Sequence, residues 1–167
     1  MSFKKRVMEE FMSEALEEAK KGNTLYGAVL VANGSFETVA RAFNTVKQDS
    51  DVSTHAELNL IRNFCKENKI TNLENYTLIT TCEPCPMCTT TAVWAKVSRI
   101  VFGLSIKDLI EKGQPQIDIS CKEIIEKSSI KIEVVEGALK EEVNKWYEEL
   151  KSSLIYSNNN IFYSSIL

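Results

Sequence analysis

The chain has 167 residues, of which 44% are hydrophobic and 26% charged, and its formal net charge at pH 7 is −3. A chain of this length and composition can close one hydrophobic core without disulfides or a structural metal. No apolar run reaches the roughly 20 residues of a membrane-spanning helix, so no membrane partner is expected, and an acidic chain is not typical of nucleic-acid-binding proteins.

The N-terminal segment is predicted to be an amphipathic helix, because apolar residues recur at helical spacing from Phe3 to Ala19 and Gly22 ends the pattern. It lacks the apolar stretch and the small-residue cleavage site of a signal peptide. A cytoplasmic location is therefore expected. In that reducing compartment the five cysteines favour metal binding or catalysis over disulfides.

The remaining elements alternate between strands and helices. Asn33-Gly34 lies between two apolar, β-branched runs, a pattern typical of a hairpin. This order indicates an α/β sheet with helices on both faces. The predictions after the hairpin are a polar loop over 45–52, helices over 54–66, 86–96, 105–112, 121–127 and 138–154, and strands over 76–81, 99–102 and 130–135.

Two short motifs carry potential metal ligands, His55-Ala56-Glu57 and Pro84-Cys85-Pro86-Met87-Cys88. Each lies where a loop or strand leads into a predicted helix. Two cysteines separated by two residues at a helix start can place both sulfurs on one side of a metal. His55 is the only histidine, so the three protein ligands would be His55, Cys85 and Cys88. A fourth position left to water is typical of a catalytic zinc site.

The pattern H-x-E followed by P-C-x-x-C is the zinc deaminase signature, and 26 residues separate Glu57 from Pro84. On these motifs and on the segments YGAVLV, TLITTCEPCPMC and VWAKVSRIVFG, the chain resembles the cytidine-deaminase-like superfamily. Its guanine deaminase and tRNA adenosine deaminase branches are the most similar. The resemblance extends from Leu25 to Leu104 and is weaker up to the last predicted helix.

This resemblance implies a three-layer α/β/α sandwich around a five-stranded mixed sheet of the cytidine deaminase type. Residues 1–155 would form the zinc-dependent deaminase domain, which is expected to form a homodimer through the zinc-bearing helices. Residues 156–167 would form a C-terminal tail, a candidate lid or a segment exchanged with a neighbour.

The resemblance also implies roles for individual residues. One Zn²⁺ per chain would bind a water or hydroxide as its fourth ligand, with a pKa lowered to about 7. Glu57 would shuttle the proton of that water to the ring nitrogen and then to the leaving ammonia. Asn44, Ala56 and Trp94 are the residues expected to contact the substrate.

Several of these residues have a structural alternative. Thr54 and Glu57 also fit a capping box that fastens a helix end. Asn44 could be a turn residue, and Trp94 could belong to the core. Glu83 could orient the loop before Pro84 or be an exposed turn acid.

The cysteines also allow other interpretations. Cys85 and Cys88 alone could form a redox pair or half of a structural zinc knuckle. Cys65 and Cys82 are interpreted as packing residues, although Cys82 lies near the predicted site.

The substrate is less well defined. The guanine deaminase branch carries an acidic pair where this chain has Gly113-Gln114-Pro115-Gln116. The tRNA branch usually ends in a basic helix, whereas this chain has no basic residue after Lys151. These features favour a free base or small nucleoside with a guanine- or cytosine-like ring. The alternatives are a tRNA wobble adenosine-to-inosine deaminase, with tRNA as partner, and a non-catalytic zinc-binding assembly domain.

Overall fold

The computed structural model describes residues 7–157. This described part begins with a π-helical turn and contains seven α-helices and five strands. In chain order the elements are the turn Val7–Phe11, α1 (Met12–Lys21), β1 (Gly27–Ala32), β2 (Glu37–Phe43), α2 (Val46–Asp49), α3 (Ala56–Asn68), β3 (Tyr76–Cys82), α4 (Pro86–Trp94), β4 (Arg99–Leu104), α5 (Ile106–Glu111), α6 (Cys121–Glu126), β5 (Glu133–Glu136) and α7 (Lys140–Ser157).

The five strands form one mixed sheet in the order β2-β1-β3-β4-β5. β1 is antiparallel to both β2 and β3, whereas β3, β4 and β5 are mutually parallel. Because β1 runs opposite to its neighbours, its first residue, Gly27, lies beside Phe43 at the end of β2. The start of β1 and the ends of β2, β3 and β4 therefore meet at one end of the sheet. We call it the upper end.

The sheet separates two hydrophobic clusters, because successive side chains of a strand point to opposite faces. Val29 and Val31 of β1 join the cluster that includes α1 and α7. Ala28 and Leu30 join the cluster formed with α3, α4 and α6. The predicted three-layer sandwich with a five-stranded mixed sheet is confirmed.

The differences from the predicted elements are local. β4 continues through Gly103 to Leu104, whereas the sequence predicted a strand that closes at the glycine. A Cβ at Gly103 would lie 2.7 Å from the Thr81 carbonyl oxygen, so this glycine allows close packing of neighbouring chain segments. The predicted polar loop contains the short helix α2.

Other predictions concern residues that the structure does not describe. The start of the predicted N-terminal helix, before Val7, lies outside the described residues, as does the tail beyond Ser157. Between these two limits, no helix combines the length and the apolar character needed to cross a membrane.

The first helix and the first strand approach each other closely at Gly27. A Cβ at this position would lie 2.1 Å from the Ala15 carbonyl oxygen and 2.5 Å from the Ala19 nitrogen. The Gly27 N–H donates to the Thr81 hydroxyl at 3.1 Å, and this hydroxyl donates to the Leu25 carbonyl at 2.7 Å. The chain just before β1 is thus fixed between α1 and β3.

We expect Gly27→Ala to lower the free energy of unfolding by about 1–3 kcal/mol, because the added methyl group overpacks a rigid backbone contact. Gly34→Ala is the matched control, since a Cβ there meets no atom within 4 Å, and its effect should stay within about 1 kcal/mol. Denaturant unfolding of both variants measures the difference. Equal stabilities would contradict the close contact between α1 and β1.

Candidate active site

Three potential metal ligands meet at the upper end of the sheet. His55 is the N-cap residue of α3 and Cys85 that of α4, and neither side chain caps its own helix. Cys88 lies in the first turn of α4. The ligand atoms of the three residues all lie within 4.8 Å of one another, and Cys85 Sγ is 3.5 Å from His55 Nδ1. The two predicted motifs therefore converge on one point.

One nitrogen and two sulfurs form a donor set that suits Zn²⁺. Cys82 is fully buried in the cluster around α1 and does not belong to this group. Within residues 7–157 the metal group contains no fourth His, Cys, Asp or Glu. The described site thus has the three protein ligands of a catalytic zinc centre and lacks the fourth of a closed structural one.

The two cysteines share a hydrogen bond that separates their acidities. The pKa of the Cys85 thiol lies well below its usual range, because Cys88 hydrogen-bonds to it and His55 lies beside it. The pKa of Cys88 is raised, because it hydrogen-bonds to Cys85 and is buried. Metal ions bind thiolates, so both thiols would lose their protons to a bound cation.

Glu57 occupies the second position of α3 and is only 4% exposed. Its Oε1 accepts a hydrogen bond from the Thr80 hydroxyl of β3 at 3.1 Å. The alternative capping box is not formed, because His55 is the N-cap residue and the Thr54 hydroxyl donates to the Asp51 carbonyl. Burial raises the pKa of Glu57, and the neighbouring Cys85 raises it further. A buried carboxyl with a raised pKa is well suited to accept a proton.

A cavity of about 30 Å³ opens beside these groups. A water needs about 10–15 Å³ on this measure, so a nucleobase would require the wall to move. Asn44 lies on the wall, and its Oδ1 accepts a hydrogen bond from the Val46 N–H at 3.1 Å. It is therefore both a turn residue and a cavity residue. The cavity is lined by Tyr26, Asn44, His55, Glu57, Glu83, Cys85 and Gln116.

Two wall residues were not identified from the sequence. Gln116 lies in the connection between α5 and α6, and its Nε2 donates to the Tyr26 hydroxyl at 3.3 Å. Burial raises the pKa of the Tyr26 phenol, so this group keeps its proton and can donate it to a hydrogen bond. The only signal for Tyr26 is its position just before β1, at the upper end of the sheet.

Asn59 was also missed, and it fixes the chain on both sides of the site. Its Nδ2 donates to Thr45 Oγ1 at 2.9 Å, to the Thr54 carbonyl at 3.1 Å and to the Phe43 carbonyl at 3.3 Å. These acceptors adjoin Asn44 and His55. The signal in the sequence is a polar residue on the apolar face of a helix, one turn after His55.

The other predicted substrate residues are not among those that line the cavity. The side chain of Ala56 is fully buried and packs in the cluster around α3. Trp94, at the end of α4, is 77% exposed and does not line the cavity, so the structural alternative of a core residue is wrong. A substrate contact of Trp94 or Ala56 remains a prediction. Glu83 is 7% exposed, so it is not an exposed turn acid.

Comparison with known proteins identifies relatives of this chain. A protein named "tRNA-specific adenosine deaminase" from Bacillus subtilis (strain 168) is 43% identical over 99 residues, which cover 57% of this chain and 60% of that protein. The "Guanine deaminase" of the same strain is 35% identical over 88 residues, which cover 53% of this chain and 55% of that protein. The chain thus spans somewhat more than half the length of either relative.

A solved structure from a study of tRNA:A34 deaminases has a TM-score of 0.68 and 26% identity, and the match covers 81% of this chain and 97% of that one. Residues 1–104 match the family described as "Cytidine and deoxycytidylate deaminase zinc-binding region". This match includes His55, Glu57, Cys85 and Cys88, which the fold brings together. The chain therefore belongs to the cytidine and deoxycytidylate deaminase zinc-binding family.

Proposed function

We propose that the chain catalyses zinc-dependent hydrolytic deamination of a nucleobase or small nucleoside with a guanine- or cytosine-like ring. The observation that carries this proposal is the buried Glu57 carboxyl, placed beside an open three-ligand metal group and on the wall of the same cavity. A structural zinc site has no use for a buried acid that is not a ligand. This argues against the alternative of a non-catalytic assembly domain.

Zn²⁺ bound by His55, Cys85 and Cys88 would lower the pKa of a coordinated water to about 7 and so supply the nucleophile at neutral pH. Glu57 would accept a proton from the attacking water and give it to the ring nitrogen. It would then take the proton of the hydroxyl group formed at the ring carbon and give it to the amino group, which leaves as ammonia as the carbonyl forms. The hydroxyl of Thr80 holds the carboxyl in place.

A small substrate is supported by the charge around the cavity. Among the described residues that line it, none is Lys or Arg, and the whole chain has a net charge of −3. The polar groups of the wall other than the metal ligands and acids are Tyr26, Asn44 and Gln116. These neutral groups suit the edge of a base, whereas phosphates attract cationic side chains.

The second candidate is deamination of the wobble adenosine of a tRNA. It is favoured by the comparisons, because both the Bacillus relative with 43% identity and the solved structure with 26% identity concern tRNA deaminases. The target nucleotide would have to leave its stack and enter the cavity. Binding should then weaken strongly with salt.

The first prediction from the proposed function concerns the metal. Purified chain should contain one zinc per chain, whereas Cys85→Ser and Cys88→Ser should each lose most of it, because two ligands do not hold zinc tightly. Cys65→Ser is the control, since Cys65 lies outside the metal group. Elemental analysis measures the content. Full zinc occupancy in both ligand variants would refute the assignment.

The second prediction tests the reaction. Ammonia release is measured with guanine, cytosine, adenine, their nucleosides and a tRNA anticodon stem-loop. Glu57→Gln should keep its zinc and lose at least about 10²-fold in turnover, because the proton acceptor is gone. Activity on a base or nucleoside supports the first candidate. Inosine formed only in the stem-loop, with salt-sensitive binding, would replace it by the second, and an inactive zinc-loaded chain would contradict both.

The third prediction concerns Asn44. Asn44→Asp keeps the oxygen that accepts from Val46 but removes the amide donor of this cavity residue. We expect kcat/KM to fall about 2–10-fold, the loss of one hydrogen bond, with little change in unfolding. Asn63→Asp makes the same chemical change on an exposed part of α3 and should leave kcat/KM unaltered. Equal kinetics of the two variants would exclude a substrate contact of Asn44.

A further inference from the structure

Glu83 lies between the end of β3 and the metal ligand Cys85. Its carboxylate is buried and accepts two backbone hydrogen bonds of 2.8 Å, one from the Ile106 N–H to Oε2 and one from the Cys121 N–H to Oε1. Its own backbone N–H donates to the Leu104 carbonyl at 2.7 Å. One side chain thus connects the metal-binding loop to two separate segments of the chain.

These two segments are helix starts. Ile106 and Cys121 are the first residues of α5 and α6, which have six residues each, and helices this short are marginal without external support. Each already has a complete capping box, formed by Ser105 with Asp108 in α5 and by Ser120 with Glu123 in α6. The Glu83 carboxylate accepts from the first N–H of each helix, which these boxes do not use.

The connection between α5 and α6 carries the cavity wall residue Gln116, which donates to Tyr26. A second cavity of about 270 Å³, lined by residues of both helix starts, also borders Glu83. The two hydrogen bonds of Glu83 attach this segment to the metal loop, next to the packing of α6 against α4.

We propose that Glu83 is a positioning residue: it holds the Gln116 wall at a fixed distance from the zinc-binding cysteines and so determines how a ring is placed at the metal. The inference rests on the proposed function, because the ring it places is that substrate.

The test variant is Glu83→Gln. In this variant one oxygen of the side chain can still accept a hydrogen bond, but an NH₂ group replaces the other oxygen. Because an NH₂ group cannot accept from a backbone N–H, either α5 or α6 loses the acceptor for its first N–H. We expect KM to rise about tenfold with a smaller change in kcat, the zinc content to stay at one per chain, and amide hydrogen exchange to accelerate in residues 106–121 and not in β1 or β3.

The matched control is the double variant Ser105→Ala and Ser120→Ala. It removes the side-chain caps of the same two helix starts but keeps both hydrogen bonds of Glu83. A positioning role predicts that KM in the control stays near the wild-type value. If the control raises KM as much as Glu83→Gln does, or if Glu83→Gln leaves KM unchanged, the proposal is overturned.

A second variant covers the case in which Glu83→Gln does not fold. Cys121→Pro removes one of the two N–H donors at a first helical position, which tolerates proline, and Ser120 already has the extended backbone that must precede it. The same rise in KM and in exchange over residues 106–121 is expected, and wild-type values of both would overturn the proposal.

The hydrogen-exchange readout separates this inference from the proposed function. If wild-type protein releases ammonia from no substrate in the panel, the proposed function is wrong. Unchanged exchange in residues 106–121 of Glu83→Gln contradicts the positioning role whatever the substrate is, and accelerated exchange with retained zinc supports it.

Discussion

Two thiols and one imidazole have to share a small volume at the upper end of the sheet, with all ligand atoms within 4.8 Å. In such a buried setting the charged forms of these groups are unfavourable unless a partner of opposite charge is present. The fold meets this requirement with two helix starts, because positive helix ends favour thiolates. The starts of α3 and α4 therefore determine the position of Glu57, the path of the loop after β2 and the place of the cavity.

The sequence was sufficient for features that depend on short spacings. The residues of His55-x-Glu57 lie within one helical turn of each other, as do those of Cys85-x-x-Cys88, so each pair is close in space wherever the helix forms. The Asn33-Gly34 hairpin likewise depends only on neighbouring residues. The alternation of strands and helices was enough to predict a sheet with helices on both faces. The prediction that β4 ends at Gly103 was wrong. The sequence does not distinguish a glycine required for close packing from one that ends a strand.

The cavity wall was beyond the reach of local patterns. Tyr26 and Gln116 are 90 residues apart, and the sequence around either residue does not predict their contact. Glu83 could equally have been an exposed acid, since its burial depends on N–H groups 23 and 38 residues further along the chain. Two relatives from Bacillus subtilis are named for different substrates, adenosine in tRNA and guanine.

The two hydrogen bonds that Glu83 accepts come from the main chain, not from side chains. Every residue except proline offers the same N–H, so this attachment does not depend on which amino acids occupy positions 106 and 121. The connection between them, with Gln116 at its middle, can accumulate substitutions while its two ends stay anchored. A chain built in this way can change one wall of its cavity through a single segment and leave its metal-binding loop unaltered.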